Sequence, residues 1–146
     1  MIAYFDTSAF LPLFIREPGT DRCRKLWDAA ERIVVTRLVH VEASAALAQA
    51  TRMGRLDSVE LEDALHRMDA VWHRCHVREL DEQLMLNAGR LAREHSLRGY
   101  DAVHCAAAVE LRGEESAAAS GDRSLLQAWS ALGVTTMDPN GAENPP

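Results

Sequence analysis

Four acidic residues stand in runs that are otherwise apolar, small or turn-forming: Asp6 in YFDTSA, Glu42 in VHVEASAAL, Asp101 in GYDAVHCAAA and Asp122 in SGDRSL. Taken singly, each has an ordinary structural explanation. Asp6 and Asp122 are good helix N-caps, Asp101 would complement a helix dipole, and Glu42 could be a solvated charge on a helix face. Taken together they would do chemistry. Two carboxylates about 4 Å apart repel by roughly 4 kcal/mol at an effective dielectric of about 20, so several in one cleft call for a cation between them. An all-oxygen set suits Mg²⁺ or Mn²⁺ rather than zinc. Such ions bind phosphate oxygens and activate water, which is the equipment of phosphodiester hydrolysis.

Whether these residues can meet depends on the elements that carry them. The apolar run IAYF at residues 2–5 reads as a strand that enters a helix over 8–15, closed by the turn residues Glu17-Pro18-Gly19. A helix over 20–31, a buried strand at 33–35 and a helix over 38–53, capped by Thr36 and ended by Gly54, follow. Leu61, Ala64, Leu65, Met68, Val71, Trp72 and Cys75 share one helical face after Ser58. A strand at 76–80 and helices over 82–96 and from Gly99 to Val109 come next. The alanine-rich segment 115–120 is a strand by position, although alanine is a poor strand former. Gly121-Asp122 turns into a helix over 123–132, and 134–136 is a last strand. The order βααβααβααβαβ predicts an α/β/α sandwich with a parallel sheet of about five strands. Ligands of such sheets bind beyond the carboxyl ends of the strands, and all four acidic residues fall there.

The 146 residues suit one domain, expected over 1–137, with the turn-forming segment 138–146 expected to be disordered. The net charge of −6 argues against a general nucleic-acid coat; with the four carboxylates set aside as ion ligands, −2 remains. Cys23, Cys75 and Cys105 are odd in number, widely spaced and without a CxxC, which suits reduced thiols in a cytoplasm. No stretch approaches the roughly 20 apolar residues of a membrane span. The apolar start lacks a cationic region and carries Asp6, so neither export nor membrane attachment is expected.

At these residues the sequence resembles the PIN-domain family, and within it the VapC-like toxins of bacterial toxin-antitoxin pairs. The matching pieces are Tyr4-Phe5-Asp6-Thr7-Ser8-Ala9, Val41-Glu42, Leu97 to His104 (LRGYDAVH) and Ser120 to Leu125 (SGDRSL), in order across residues 1 to about 137. The resemblance implies a Mg²⁺-dependent endoribonuclease, with Mn²⁺ able to substitute, and metal ligands at Asp6, Glu42, Asp101 and Asp122. It further implies that Ser8 and Ser120 support the carboxylates or contact phosphate. RNA as substrate, a cognate antitoxin reaching the cleft with a cationic side chain, and a homodimer are implied in the same way. The family usually has a β-branched strand before the last aspartate, and the alanine run departs from that.

Other signals are weaker. His40-Val41-Glu42 has the H-x-E form of a zinc deaminase, but no P-C-x-x-C follows. A haloacid-dehalogenase-type phosphatase would carry a second aspartate where Ser8 stands. A receiver domain needs a lysine on its last strand, and Lys25 is the sole lysine beside fifteen arginines. His73, Cys75 and His76 match no common metal spacing. His104, one turn after Asp101, could support the site or touch RNA, or simply be a core or surface histidine. Two rivals remain: a PIN-fold module that binds RNA or protein without catalysis, and a structure-specific DNA nuclease of the same fold, for whose inserted arch the chain is short.

Overall fold

The computed structural model describes residues 1–141. Its sheet is parallel throughout and contains β1 (Ile2–Phe5), β2 (Arg32–Thr36), β3 (His76–Arg78), β4 (Ser116–Ala119) and β5 (Thr136–Met137), in the order β3-β2-β1-β4-β5. The helices are α1 (Thr7–Phe10), α2 (Thr20–Ala29), α3 (Leu38–Arg52), α4 (Ser58–Trp72), α5 (Glu82–His95), α6 (Gly99–Val109) and α7 (Arg123–Ala131). The expected element order and parallel five-stranded sheet are both present.

Strand β1 is buried on both faces, so it reads as an unbroken apolar run. Alternate side chains then feed two cores. Ile2 and Tyr4 join Val34, Ala118 and the inner faces of α5, α6 and α7, while Ala3 and Phe5 join Ile33, Val35, Ala119 and the inner faces of α1, α3 and α4. Tyr4 meets Trp129 edge-on with ring centroids 5.8 Å apart, and Phe5 meets Trp27 at 5.6 Å on the opposite face.

That crowding explains why an alanine run can be a strand. Ala118 and Ala119 lie beside Tyr4 and Phe5 in register, and small side chains there leave room for the rings and for Trp129. Helix α6 uses the same device, turning Ala102, Ala106 and Ala107 inward.

Several boundaries differ from expectation, each for a local reason. The first helix stops at Phe10 and continues as a 3₁₀ turn over Leu11–Leu13, because Pro12 has no N–H to donate and its ring disfavours a continuing α-helix. Thr36 does not cap α3; it is the buried last residue of β2, and Arg37 holds the cap position without a side-chain bond. The last strand starts at Thr136 rather than 134, since Val134 still donates to the Trp129 carbonyl at the end of α7. Strand β3 ends at Arg78, two residues early.

The chain also stays on the domain beyond 137. Pro139 is buried against Gly19, and the Arg22 guanidinium donates to the Gly141 carbonyl. Residues 138–141 thus pack against the domain, and the rest of the segment expected to be disordered, 142–146, lies outside the described residues. Among the described residues no helix is long and apolar enough to cross a membrane.

From β1 the chain crosses to β2 on one side and only later to β4 on the other. The carboxyl ends of β1 and β4 therefore flank the topological switch point, where open parallel sheets form their binding crevice.

Candidate active site

Asp6 is the first residue past β1, and its amide still donates to the Ala119 carbonyl of β4 at 3.1 Å. Its carboxylate accepts from the Ala9 amide at 3.0 Å, capping α1, and from Ser8 Oγ at 2.7 Å, both at Oδ1. Oδ2 accepts from Ser120 Oγ at 2.6 Å. Only 4% of Asp6 is exposed, and burial pushes its carboxyl above the usual range, although the positive charge of His104 when its ring is protonated and the bonds from Ser120, Ser8 and Ala9 pull it back part of the way. The two serines also receive amides from the β4 side: Ser120 Oγ accepts from Asp122 N at 2.9 Å and Ser8 Oγ from Gly121 N at 2.7 Å. They stitch the ends of β1 and β4 together around the buried carboxylate.

Asp122 caps α7, accepting from the Leu125 amide at 2.9 Å through Oδ1. Its other oxygen, Oδ2, lies 3.4 Å from Arg98 Nη2, and Arg98 Nε reaches Asp101 Oδ2 at 3.0 Å. One guanidinium thus spans two of the four carboxylates. The Arg98 side chain is 82% exposed, so this bridge contributes little to stability.

Glu42 lies in the second turn of α3. Its Oε1 accepts from Thr7 Oγ1 at 2.7 Å and lies 2.9 Å from His104 Nε2. Partial burial raises its pKa, but the hydrogen bonds from His104 and Thr7 together outweigh burial and hold it below the usual range. His104 Nδ1 in turn lies 2.7 Å from the Tyr4 hydroxyl. Burial first, and the Asp6 charge second, lift the Tyr4 phenol well above its ordinary value.

These bonds arrange the four carboxylates along one edge. Ser120 links Asp6 to Asp122, Arg98 links Asp122 to Asp101, and Asp101 shares with Glu42 a cavity of about 470 Å³, lined also by Arg98, Gly99 and Tyr100. Thr7, bonded to Glu42, adjoins Asp6 and closes the loop. As placed, no three His, Cys, Asp or Glu side chains among the described residues stand close enough to hold one ion. Serine, threonine and arginine groups separate them. The donor set is nonetheless all oxygen, and the Arg98 guanidinium between Asp101 and Asp122 marks where positive charge is accommodated. The residues fit a hard divalent cation in kind, with Arg98 exposed enough to turn aside.

Tyr4, Thr7 and Arg98 had no assigned role in the sequence reading. The signal was proximity in sequence: Thr7 follows Asp6, Tyr4 precedes it by two positions, and Asp122's partner Arg98 lies three residues before Asp101, a helical-neighbour spacing. His40 lies elsewhere, packed on Trp72 at 5.1 Å and 3.7 Å from Asp69. A larger cavity of about 660 Å³, lined by Phe14, Arg55, Val59, Asp63 and Arg67 among others, contains none of the four carboxylates. Burial pushes the Cys23 thiol up to about 12 and those of Cys75 and Cys105 to about 11, so all three stay protonated near neutral pH.

A parallel α/β sandwich with carboxylates ringed about its switch point is the class that this geometry defines. The family model described as PIN domain matches residues 3–128, and the chain belongs to the PIN-domain family. Among similar proteins, Ribonuclease VapC45 of Mycobacterium tuberculosis (strain CDC 1551 / Oshkosh) is 38% identical over 132 residues, spanning 90% of this chain and 92% of that one. The fold also matches the crystal structure of FitAcB from Neisseria gonorrhoeae, with a TM-score of 0.69 at 15% identity, over 95% of this chain and 98% of that one. The crystal structure of Mycobacterium tuberculosis VapC20, a sarcin-ricin loop cleaving toxin, matches with a TM-score of 0.63 at 17% identity, over 86% and 94% of the two chains.

Proposed function

We propose that this protein is a Mg²⁺-dependent endoribonuclease and the toxin of a toxin-antitoxin pair. One observation carries the reading: a carboxylate, Asp6, buried at the switch point and linked through Ser120, Asp122, Arg98 and Asp101 to an open cavity that Glu42 lines. Capping α1 does not by itself call for a carboxylate this deeply buried, and a pure binding module has no reason to keep four mutually repelling carboxylates. The likeness to a protein named Ribonuclease VapC45 supports the choice of RNA over DNA.

Asp6, Glu42, Asp101 and Asp122 would hold the ion, and Mn²⁺ would substitute for Mg²⁺. When bound, the ion supplies charge neutralisation at the phosphate and a polarised water. Ser8 and Ser120 hold the Asp6 oxygens in place, and Arg98, once turned from the carboxylates, is free to meet a phosphate. Among the described residues no pair of histidines lines the cavity to run proton transfers on a ribose hydroxyl, so water is the nucleophile. A cognate antitoxin would block the cleft with a cationic side chain, in the manner that Arg98 already engages Asp101 and Asp122. The active form would be a homodimer.

The test is incubation of purified protein with RNA, with and without Mg²⁺, followed by end sequencing. Cuts that need the ion and leave a 5′-phosphate and a 3′-hydroxyl are expected, and a single 2′-deoxy sugar at the scissile position should still be cut. Cyclic-phosphate ends, together with complete resistance of the deoxy substrate, would reject the water mechanism. Cleavage of DNA alone, or binding without cleavage, would favour one of the two rivals.

A further inference from the structure

Three side chains from three elements run in a line from the core to the carboxylate edge. Tyr4 of β1 places its hydroxyl 2.7 Å from His104 Nδ1, and His104 of α6 places Nε2 2.9 Å from Oε1 of Glu42 on α3. Tyr4 and His104 are 0% and 3% exposed, and Tyr4 is further fixed by its edge-on contact with Trp129. Oε1 of Glu42 already accepts from Thr7, so the ring nitrogen that faces the same oxygen, Nε2, carries a proton and donates it. In the neutral ring Nδ1 is then bare and accepts the Tyr4 hydroxyl. The tautomer is set by what lies at each end.

Both donors to Glu42, His104 and Thr7, bind the same oxygen, and among the described residues Oε2 has no hydrogen-bond partner. Glu42 meanwhile lines the cavity that holds Asp101. Packing alone does not call for this arrangement. The other buried positions of α6 are Ala, Val and Cys, and a polar ring at one of them is unfavourable unless both nitrogens are bonded.

We propose that Tyr4 and His104 are positioning residues for Glu42: the buried phenol fixes the histidine tautomer, the histidine and Thr7 pin Oε1, and Oε2 is thereby aimed into the cavity. The inference rests on the metal-nuclease reading above. Partners of this kind orient a ligand and tune its basicity, and losing one lowers metal affinity or activity by about 10–100-fold.

Three variants of the full chain test it. Tyr4→Phe removes one oxygen and keeps the ring contacts, His104→Leu removes the donor, and His104→Gln restores an amide able to reach Glu42. Mn²⁺ binding is read by calorimetry, cleavage as kcat and KM, and the ring tautomer from the ¹⁵N shifts of His104. Expected are an Nε2–H tautomer in the wild type, an approximately 10–100-fold loss of Mn²⁺ affinity or kcat in Tyr4→Phe and His104→Leu with KM for RNA nearly unchanged, and substantial recovery in His104→Gln. Should His104→Leu fail to fold, Tyr4→Phe and the tautomer decide the matter. Wild-type Mn²⁺ affinity and kcat in Tyr4→Phe, or a ring protonated on Nδ1 with Nε2 bare, would overturn the proposal. A wild-type protein that binds Mn²⁺ but leaves RNA intact rejects the nuclease reading alone, the relay then being judged on Mn²⁺ affinity; one that binds no Mn²⁺ overturns both.

Discussion

Asp6 and Glu42 are neighbours in the site whose pKa values move in opposite directions, and the signs lead to opposite pH behaviour. Burial raises Asp6, so the stability it contributes is fully present below its unfolded value and is lost as pH rises through its folded one. Near pH 7, above the unfolded value, the buried charge that Asp6 would carry therefore destabilises the ion-free protein. Asp6→Asn, which abolishes that charge, should melt higher than wild type at pH 7 in EDTA, and the gap should close as pH falls towards 4. Glu42 is lowered, with burial outweighed by the bonds from His104 and Thr7, so its contribution is present above the ordinary carboxylate value and lost as pH falls through the folded one. Glu42→Gln should accordingly melt lower than wild type at pH 7, by an amount equivalent to about 1 kcal/mol after discounting for its partial exposure. Both variants should lose RNA cleavage. Melts from pH 4 to 8 check the pair, and a destabilised Asp6→Asn at pH 7 would contradict the account of its burial.

At the scale of elements, strand β4 is the instructive case. Its alanines carry almost no β-propensity, and it is a strand because Tyr4, Phe5 and Trp129 fill the space on either side. Ala118→Leu should therefore collide with the Tyr4–Trp129 pair and destabilise by about 1–3 kcal/mol in urea unfolding. A neutral result would mean slack in that core. Long amphipathic helices such as α4 and α5 were legible from period alone, and α4 opens with the Asp57–Glu60 capping box. The short elements were less so. Pro12 gave a signal for the 3₁₀ turn, whereas no residue type separates Val134 from Thr136: Val134 is held back by the Trp129 carbonyl, and the sheet is joined where Thr135 accepts the Ala118 amide.

At the scale of the molecule, residues 138–141 fold back on the start of α2. A Cβ at Gly19 would lie 2.7 Å from Pro139 Cβ, closer than real Cβ atoms approach, and a tight 3.1 Å from its carbonyl oxygen. The backbone of Gly19, with φ of −83°, is otherwise in a region allowed to alanine. Gly19→Ala should hence cost about 1–3 kcal/mol in the full chain and much less in a chain ended at Asp138, a difference that thermal melts of the four proteins would read. Equal cost in both backgrounds would place the strain elsewhere.

Residue type, order and period determined much of this protein. They set the alternation of strands and helices, hence a parallel sheet, hence a binding edge at the carboxyl ends of the strands, and they put four acidic residues at that edge. Tertiary structure decided the partners. That Ser120 closes on Asp6 across 114 positions, that Arg98 spans Asp101 and Asp122, and that Tyr4 reaches Glu42 through His104 follow from which strands lie side by side and which helix crosses them. Local sequence carries no record of these pairings, because hydrogen bonds form only where folding brings donor and acceptor within about 3 Å, and the geometry that does so is a property of the packed whole.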